Sequence, residues 1–396
     1  MELFKKIYEM TAIGPLAGSP QTVLMILISF GLLYLGIKKQ YEPLLLVPIA
    51  FGVLLANFPG GEMGVVPIDE HMNLLEIAKY HGIMNFLYYA LIKTGFLPPI
   101  IFMGVGALTD FGPMLRNLRL AFFGAAAQIG IFSVLIAAVA MGFTLKEAGA
   151  LGIIGGADGP TAIYTTIKLA PHLLGPIAIA AYSYMALVPV IIPLIVKFTM
   201  SKSELMINMK KQDKLFPKEK PIKNLQAVKI LFPIILGTLV AIMVPSSVPL
   251  VGMLLFGNLV KEIGNTTFRL SDAASGSVMN AATIFLGLTV GATMTADAFL
   301  KTQTIMIVVG GFIAFAISIA GGIMAVKVYN LFAKKKINPL IGATGLSAVP
   351  MASRVANDIA LKHDPSNHLL QYAMASNISG VIGSAVAAGV LISFLG

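Results

Sequence analysis

The chain has 396 residues, 57% of them hydrophobic and 12% charged, with a formal net charge of +10 and a mean hydropathy of +0.86. A soluble domain has about a quarter of its residues charged, so this composition excludes an ordinary soluble enzyme and points to a protein solvated by lipid. Cysteine is absent, which excludes disulfides, thiolate catalysis and cysteine-bound metal, and five histidines with no His-x-x-x-His pair argue against a transition-metal site.

The first 19 residues carry Lys5 and Lys6 but also Pro15, with Pro20 following, and no long apolar run. They do not read as a cleavable signal peptide. Apolar runs at 21–37, 120–143, 173–196, 304–326 and 369–395 approach or exceed the roughly 20 residues that cross about 30 Å of hydrocarbon. With weaker runs they predict about 10 to 12 spans and partial spans. The runs are continuous, not alternating, which favours helices over a β-barrel. The expected fold is an all-α polytopic membrane protein.

Gly155-Gly156-Ala157-Asp158-Gly159-Pro160-Thr161 interrupts this pattern with a carboxylate among glycines and a proline. Glycine and proline weaken a helix by roughly 1 and 3 kcal/mol relative to alanine, so the helix is expected to break at 155–161. A break inside the membrane bares backbone carbonyls beside an ionisable group, which is how membrane proteins build cation sites.

The most hydrophilic interior segment follows, with Lys202, Lys210, Lys211, Lys214, Lys218, Lys220 and Lys223. It reads as a basic cytoplasmic linker, 199–228, between membrane halves at 1–198 and 229–396. The halves resemble a diverged repeat. Val105-Gly106-Ala107 is echoed by Val290-Gly291-Ala292, Ile154-Gly155-Gly156 by Ile341-Gly342-Ala343, and His172-Leu173-Leu174 by His368-Leu369-Leu370, in one order. Transporter repeats of this kind are often inverted, with the site where two broken helices meet. The second break, at 339–351, has Gly342, Gly345, Thr344, Ser347 and Pro350 but no carboxylate. Strict alternation of spans does not put Lys38-Lys39, Arg116, Arg119, the linker and Lys334 to Lys336 all on one side, so only the linker is assigned to the cytoplasm.

Asp158 is the first candidate for chemistry. A charge at the bilayer centre costs at least about 2.5 to 3.5 kcal/mol and needs a partner or a task. It could instead cap the second half-helix, since Asp-Gly-Pro-Thr resembles a helix start. Tyr182 and Tyr184 lie in the next long helix, and spacing does not say which faces the site. Asn377 and Ser384 share a face of the last helix, with Gly380 between them. They could supply neutral oxygens to a hard cation or serve helix packing. Arg354 and Asp358 are four apart and could pair; Arg354 could instead bind an anionic carboxylate. Asp110 and Asp297 read as caps, and Gln128 as interhelical glue.

Gly155 to Ala162, Ala181-Tyr182-Ser183-Tyr184-Met185-Ala186-Leu187-Val188-Pro189, and Asn377-Ile378-Ser379-Gly380-Val381-Ile382-Gly383-Ser384-Ala385, with Gly106-Ala107-Leu108-Thr109-Asp110-Phe111-Gly112-Pro113, resemble one family over nearly the whole chain. It is the β subunit of the biotin-dependent sodium-pumping decarboxylases, which act on oxaloacetate, methylmalonyl-CoA, glutaconyl-CoA or malonate derivatives. The resemblance implies a multi-pass inner-membrane subunit that decarboxylates carboxybiotin and couples this to Na+ export with consumption of a proton. It implies a carboxyltransferase α subunit, a biotin-carrying partner, a small γ or δ subunit, and oligomers of β subunits. The chain has no Met-Lys-Met biotin-attachment sequence, as expected if a partner holds the biotin. Asp158 becomes the Na+-linked carboxylate and Tyr184 the proton donor or relay. Asn377 and Ser384 are further Na+ ligands and, with Arg354, candidates for holding carboxybiotin. The alternative from composition and repeats alone is a Na+-coupled carrier or Na+/H+ antiporter without chemistry of its own. The chain is shorter between elements than the longest members, which weakens the choice of oxaloacetate.

Overall fold

The computed structural model describes residues 8, 10–40, 42–69, 71–216, 224–346 and 351–396, without the side chains of 183, 186 and 303. Among the described residues every regular element is helical. Seven helices are long and apolar enough to cross a membrane, and up to nine if two bent pairs each count as one span. The shorter apolar helix Pro43–Ala56 and the paired half-helices at the two breaks supply the partial spans read from the sequence. The chain is an all-α polytopic membrane protein.

The first half runs through α1 (Pro20–Ile37), α2 (Pro43–Ala56), α3 (Leu74–Leu87), α4 (Leu97–Leu108), α5 (Leu118–Ala127), α6 (Ile129–Ala140), α7 (Leu145–Gly152), α8 (Gly159–Leu169) and α9 (Leu174–Thr199). The second runs through α10 (Leu225–Met243), α11 (Val248–Ile263), α12 (Met279–Ala292), α13 (Thr302–Phe332), α14 (Leu340–Ala343), α15 (Met351–His363) and α16 (Leu370–Leu395). Local chemistry sets many starts. Proline opens α1 and α2, where its missing N–H costs nothing. Capping boxes at Asn73–Glu76 and Thr144–Glu147 satisfy the first amides of α3 and α7.

The helices of the two halves pack on each other reciprocally. α2 crosses α12 while α4 crosses α11; α5 packs on α16 while α9 packs on α13; α8 meets α16 while α15 meets α9. Both first crossings are made by glycine. A Cβ on Gly106 would strike the Leu254 carbonyl and one on Gly257 the Met103 carbonyl; likewise Gly52 faces Leu288 and Gly291 faces Ile49. The echo Val105-Gly106-Ala107 and Val290-Gly291-Ala292 therefore falls on matching helix contacts. The His-Leu-Leu echo falls on the starts of α9 and α16.

Each break is the tip of a hairpin. Glu147 at the start of α7 lies 2.9 Å from His172, beyond the end of α8, so 145–172 enters and returns on one side. At the second break, Asn338 before α14 donates to the Leu205 and Ile207 carbonyls. Asn208 donates to Asp364 and Ser366, beyond α15, at 2.9 and 3.0 Å. That hairpin therefore opens at the linker. The 26-residue helix α9 runs from the mouth of the first hairpin to the linker, enough to cross about 30 Å, so the two hairpins enter from opposite sides.

This topology accounts for Arg116, Arg119 and Lys334 to Lys336. Neither hairpin crosses, so α5–α6 starts on the linker side and puts Arg116 and Arg119 there. Lys229, near the start of α10, pairs with Asp110 at 2.5 Å and Glu262 at 3.4 Å, which brings the ends of α4 and α11 to the same side. Lys334 to Lys336 follow α13 there, with Lys335 2.5 Å from Asp213. The described part of the linker is docked rather than loose. Lys218, Lys220, Lys223, Ser347 and Pro350 lie outside the described residues.

Candidate functional site

The first break forms as the glycine-proline pattern predicts. α7 ends at Gly152, a short 3-10 turn covers Ile153–Gly156, and Ala157 takes a left-handed conformation with φ +56°. Asp158 then caps α8, its Oδ1 accepting from the Thr161 N–H at 3.2 Å, with Pro160 in the first turn. The α8 dipole places positive potential on this carboxylate. The glycines allow close approach: a Cβ on Gly155 would meet the Gly130 backbone, one on Gly156 the Ser384 side chain, and one on Gly159 the Tyr182 ring.

Asp158 is buried at 5% exposure, and the Ser384 hydroxyl donates to its Oδ2 at 3.0 Å. The cap and the buried charge read from the sequence are thus both present. The carboxylate also accepts from a hydroxyl on α16. Thr161 Oγ1 and Tyr182 Oη are buried without hydrogen-bond partners.

The second break is held differently. Asn377 Nδ2 donates to the Thr344 carbonyl at 3.1 Å and the Leu346 carbonyl at 2.6 Å. The Thr344 hydroxyl is within hydrogen-bond distance of the Ala373 carbonyl, at 3.0 Å. Asn377 and Ser384 do share a face of α16, but Ser384 reaches the first break and Asn377 the second. One helix therefore links both hairpin tips. Gly380, between them, approaches the Gly345 carbonyl too closely for any side chain.

The two tyrosines separate. Tyr182 lies against Gly159 beside Asp158. Tyr184 turns to α13, where its hydroxyl donates to the Val308 carbonyl and its ring packs on Phe312 and Phe315. Tyr182 and Tyr184 are two residues apart, about 200° around the helix axis, so they face opposite sides; α9 also bends by 66° between Tyr182 and Leu187. Spacing could not show that bend.

Arg354 is exposed on the first turn of α15 and makes no ion pair with a described residue. It does not pair with Asp358. Asn357 instead accepts from the Leu369 and Leu370 amides at 2.9 and 3.1 Å and caps α16. Gln128 lies where the span Leu118–Ala140 is interrupted between α5 and α6. Its amide lies within hydrogen-bond distance of the carbonyls of Gly124 on α5, Gly345 beyond the end of α14 and Gly380 on α16, as glue would. The sequence signal for it was a lone polar residue in an apolar run; its place between the two hairpins had no signal.

A family model described as the Na+-transporting oxaloacetate decarboxylase beta subunit matches residues 21–395. The methylmalonyl-CoA decarboxylase subunit beta of Propionigenium modestum is 48% identical over 386 residues, covering 95% of each chain. That of Veillonella parvula is 46% identical over 384 residues, covering 96% of this chain and 95% of its own. The oxaloacetate decarboxylase beta chain 2 of Salmonella typhimurium is 45% identical over 425 residues, covering 96% of each. The last alignment is longer than the 396 residues of this chain, so that relative carries insertions.

Proposed function

The chain belongs to the family of Na+-transporting oxaloacetate decarboxylase beta subunits, and we propose from its two hairpins how it couples decarboxylation to Na+ movement. As a member it is the membrane subunit of a sodium-translocating decarboxylase complex. This sets aside the carrier without chemistry of its own. Relatives named for methylmalonyl-CoA and for oxaloacetate are almost equally similar, at 48% and 45%. That near equality supports a β chain handling the step common to both, with the acid chosen by a partner.

The common step is decarboxylation of carboxybiotin brought by a biotin-carrying partner alongside a carboxyltransferase α subunit, a small γ or δ subunit and further copies of this chain. Arg354 suits that group: its guanidinium is exposed and free of ion pairs with described residues, and it sits in the first turn of a 13-residue helix, where the dipole also favours an anion. Arg354 would hold the carboxylate of that group, which would supply a labile N–C bond, CO2 as the leaving fragment and a ring nitrogen to take up the proton.

The chain's own residues hold the ion and move the proton. Na+ binds Asp158 Oδ2 and the Ser384 hydroxyl, with Asn377 fixing the facing hairpin. A proton replaces Na+ on Asp158 as the ion leaves. Tyr182 forms the near end of the proton route and Tyr184, at the bend of α9, its far end. The two halves, 1–198 and 229–396, are inverted repeats joined by the basic segment 199–228. With Arg116, Arg119, Lys229 and Lys334 to Lys336 on the linker side, that side is cytoplasmic and the membrane is the inner membrane.

The observation that carries this reading is one buried carboxylate, hydrogen-bonded across to α16, at the tip of a hairpin that faces a second hairpin entering from the other side. Asp158→Asn in the assembled complex is expected to abolish both decarboxylation and 22Na+ uptake into inverted vesicles. A mutant that kept Na+-dependent decarboxylation would reduce Asp158 to a helix cap.

A further inference from the structure

Gln128 is over nine-tenths buried, with 7% exposure, and its two amide ends have very different surroundings. Nε2 lies 3.1 Å from the Gly124 carbonyl, 3.4 Å from that of Gly345 and 3.3 Å from that of Gly380. Three acceptors fix the amide orientation, because the flipped form would aim its oxygen at three carbonyl oxygens. Oε1 must then face the other way, where it is buried without a hydrogen-bond partner. An unsatisfied buried acceptor costs about 1 to 3 kcal/mol, which marks it for a ligand.

What lies on that side is the first break. A point one Cβ out from Gly156 is 3.5 Å from Gln128 Oε1 and 3.0 Å from Ser384 Cβ, and the Ser384 hydroxyl donates to Asp158 Oδ2. The helix is also interrupted at Gln128, whose N–H bonds to the Ala125 carbonyl and whose carbonyl accepts from the Ile131 N–H. This irregular turn brings the side chain to the level of Gly156.

We propose that Gln128 Oε1 is a neutral oxygen ligand of the transported Na+, beside Asp158 and Ser384. The proposal rests on Asp158 being the Na+ carboxylate and adds a third donor from a third element. Na+ is a hard cation suited to such an oxygen. The same amide grips Gly345 in the second hairpin and Gly380 on α16, so ion occupancy at the first hairpin is felt directly by the second.

The test is the Na+ dependence of decarboxylation, with 22Na+ uptake, in the whole complex in membranes. Gln128→Leu is expected to raise the half-saturating Na+ concentration about tenfold or more, as for a lost contact to a charge. Thr344→Val, which removes a hydroxyl that holds the second hairpin to the Ala373 carbonyl and leaves Oε1 in place, should stay within about threefold of the unmodified protein. Two results overturn the proposal: an unshifted half-saturation in Gln128→Leu, or equal shifts in both variants, which would mean lost glue. If Gln128→Leu does not assemble, Gln128→Asn, with its oxygen withdrawn by one methylene, decides by the same readout. Asp158→Asn in parallel separates the failures. Na+ dependence surviving there defeats the site itself. Loss there with unshifted Gln128 variants defeats only the added ligand.

Discussion

The two hairpins share a scaffold and differ in chemistry. Both place a half-helix, a glycine-rich tip and a returning helix against partners in the other half, from opposite sides of the membrane. The first ends in a carboxylate that caps α8 and accepts from Ser384. The tip of the second offers backbone carbonyls, and Asn377 and Gln128 hold those of Thr344, Gly345 and Leu346. One hairpin therefore has a group whose charge can change, and the other has dipoles that cannot titrate. A symmetric pair of charged tips would place two carboxylates together and favour protonating one of them. On the proposed function, the asymmetry leaves Asp158 as the place where Na+ and H+ would compete.

The division predicts opposite outcomes for two residues on one helix face. Ser384→Ala removes a charge-assisted hydrogen bond at the first tip and should raise the half-saturating Na+ concentration about tenfold. Asn377→Ala leaves two carbonyls of the second tip without their donor and should destabilise the complex by about 2 to 4 kcal/mol, read as a lowered Tm in detergent. If Asn377→Ala shifted Na+ dependence as strongly as Ser384→Ala at unchanged Tm, both tips would bind the ion and the contrast would collapse.

The shared scaffold is tested by its glycine crossings. Gly106→Ala and Gly291→Ala each push a methyl into a carbonyl of the partner helix. Each should cost about 1 to 3 kcal/mol, and the two costs should match. A tolerated substitution at one position and loss of the complex at the other would show that the halves do not pack alike.

Much of this was legible in the sequence because it depends on local rules. The break at 155–161 follows from glycine and proline, the cap from Asp158-Gly159-Pro160-Thr161, and the spans from hydropathy. The glycine crossings were legible as sequence echoes because helices that cross through backbone contact tolerate no side chain. The hairpin topology was not legible: hydropathy does not distinguish a half-helix that turns back from one that goes on. That is why the basic residues would not alternate until Glu147–His172 and Asn208–Asp364 showed where each hairpin closes. Which of Tyr182 and Tyr184 faces Asp158 was hidden for a similar reason: their spacing puts them on opposite sides of α9, and only the packing of Tyr182 against Gly159 shows which side meets the first break.

The tyrosines give a subtler measurement. Tyr182→Phe removes a hydroxyl beside Asp158 and should shift the half-saturating Na+ concentration about threefold while slowing turnover. Tyr184→Phe removes one bond to the Val308 carbonyl and should slow turnover without that shift. Equal shifts in both would place both phenols at the ion.

The smallest effect lies at the mouth of the second hairpin. Asp364 accepts from the Ser366 hydroxyl at 2.6 Å, from Asn208 Nδ2 at 2.9 Å and from the Ser366 N–H at 2.9 Å. These bonds, led by the Ser366 hydroxyl, bring its pKa down to about 2. An unfolded aspartate titrates near about 3.9. The folded value is the lower one, so the stability it contributes is present above about pH 4 and is lost as pH falls toward 2. Glu147, at the first mouth, is also held below the usual carboxylate range, by the Thr144 N–H and by His172, so both mouths should loosen in acid. Asp364→Asn should flatten the fall in Tm between about pH 4 and pH 2, with only a small change at pH 7. A variant whose acid profile overlays that of the unmodified complex would show that the linker is not fastened to the second hairpin through this carboxylate.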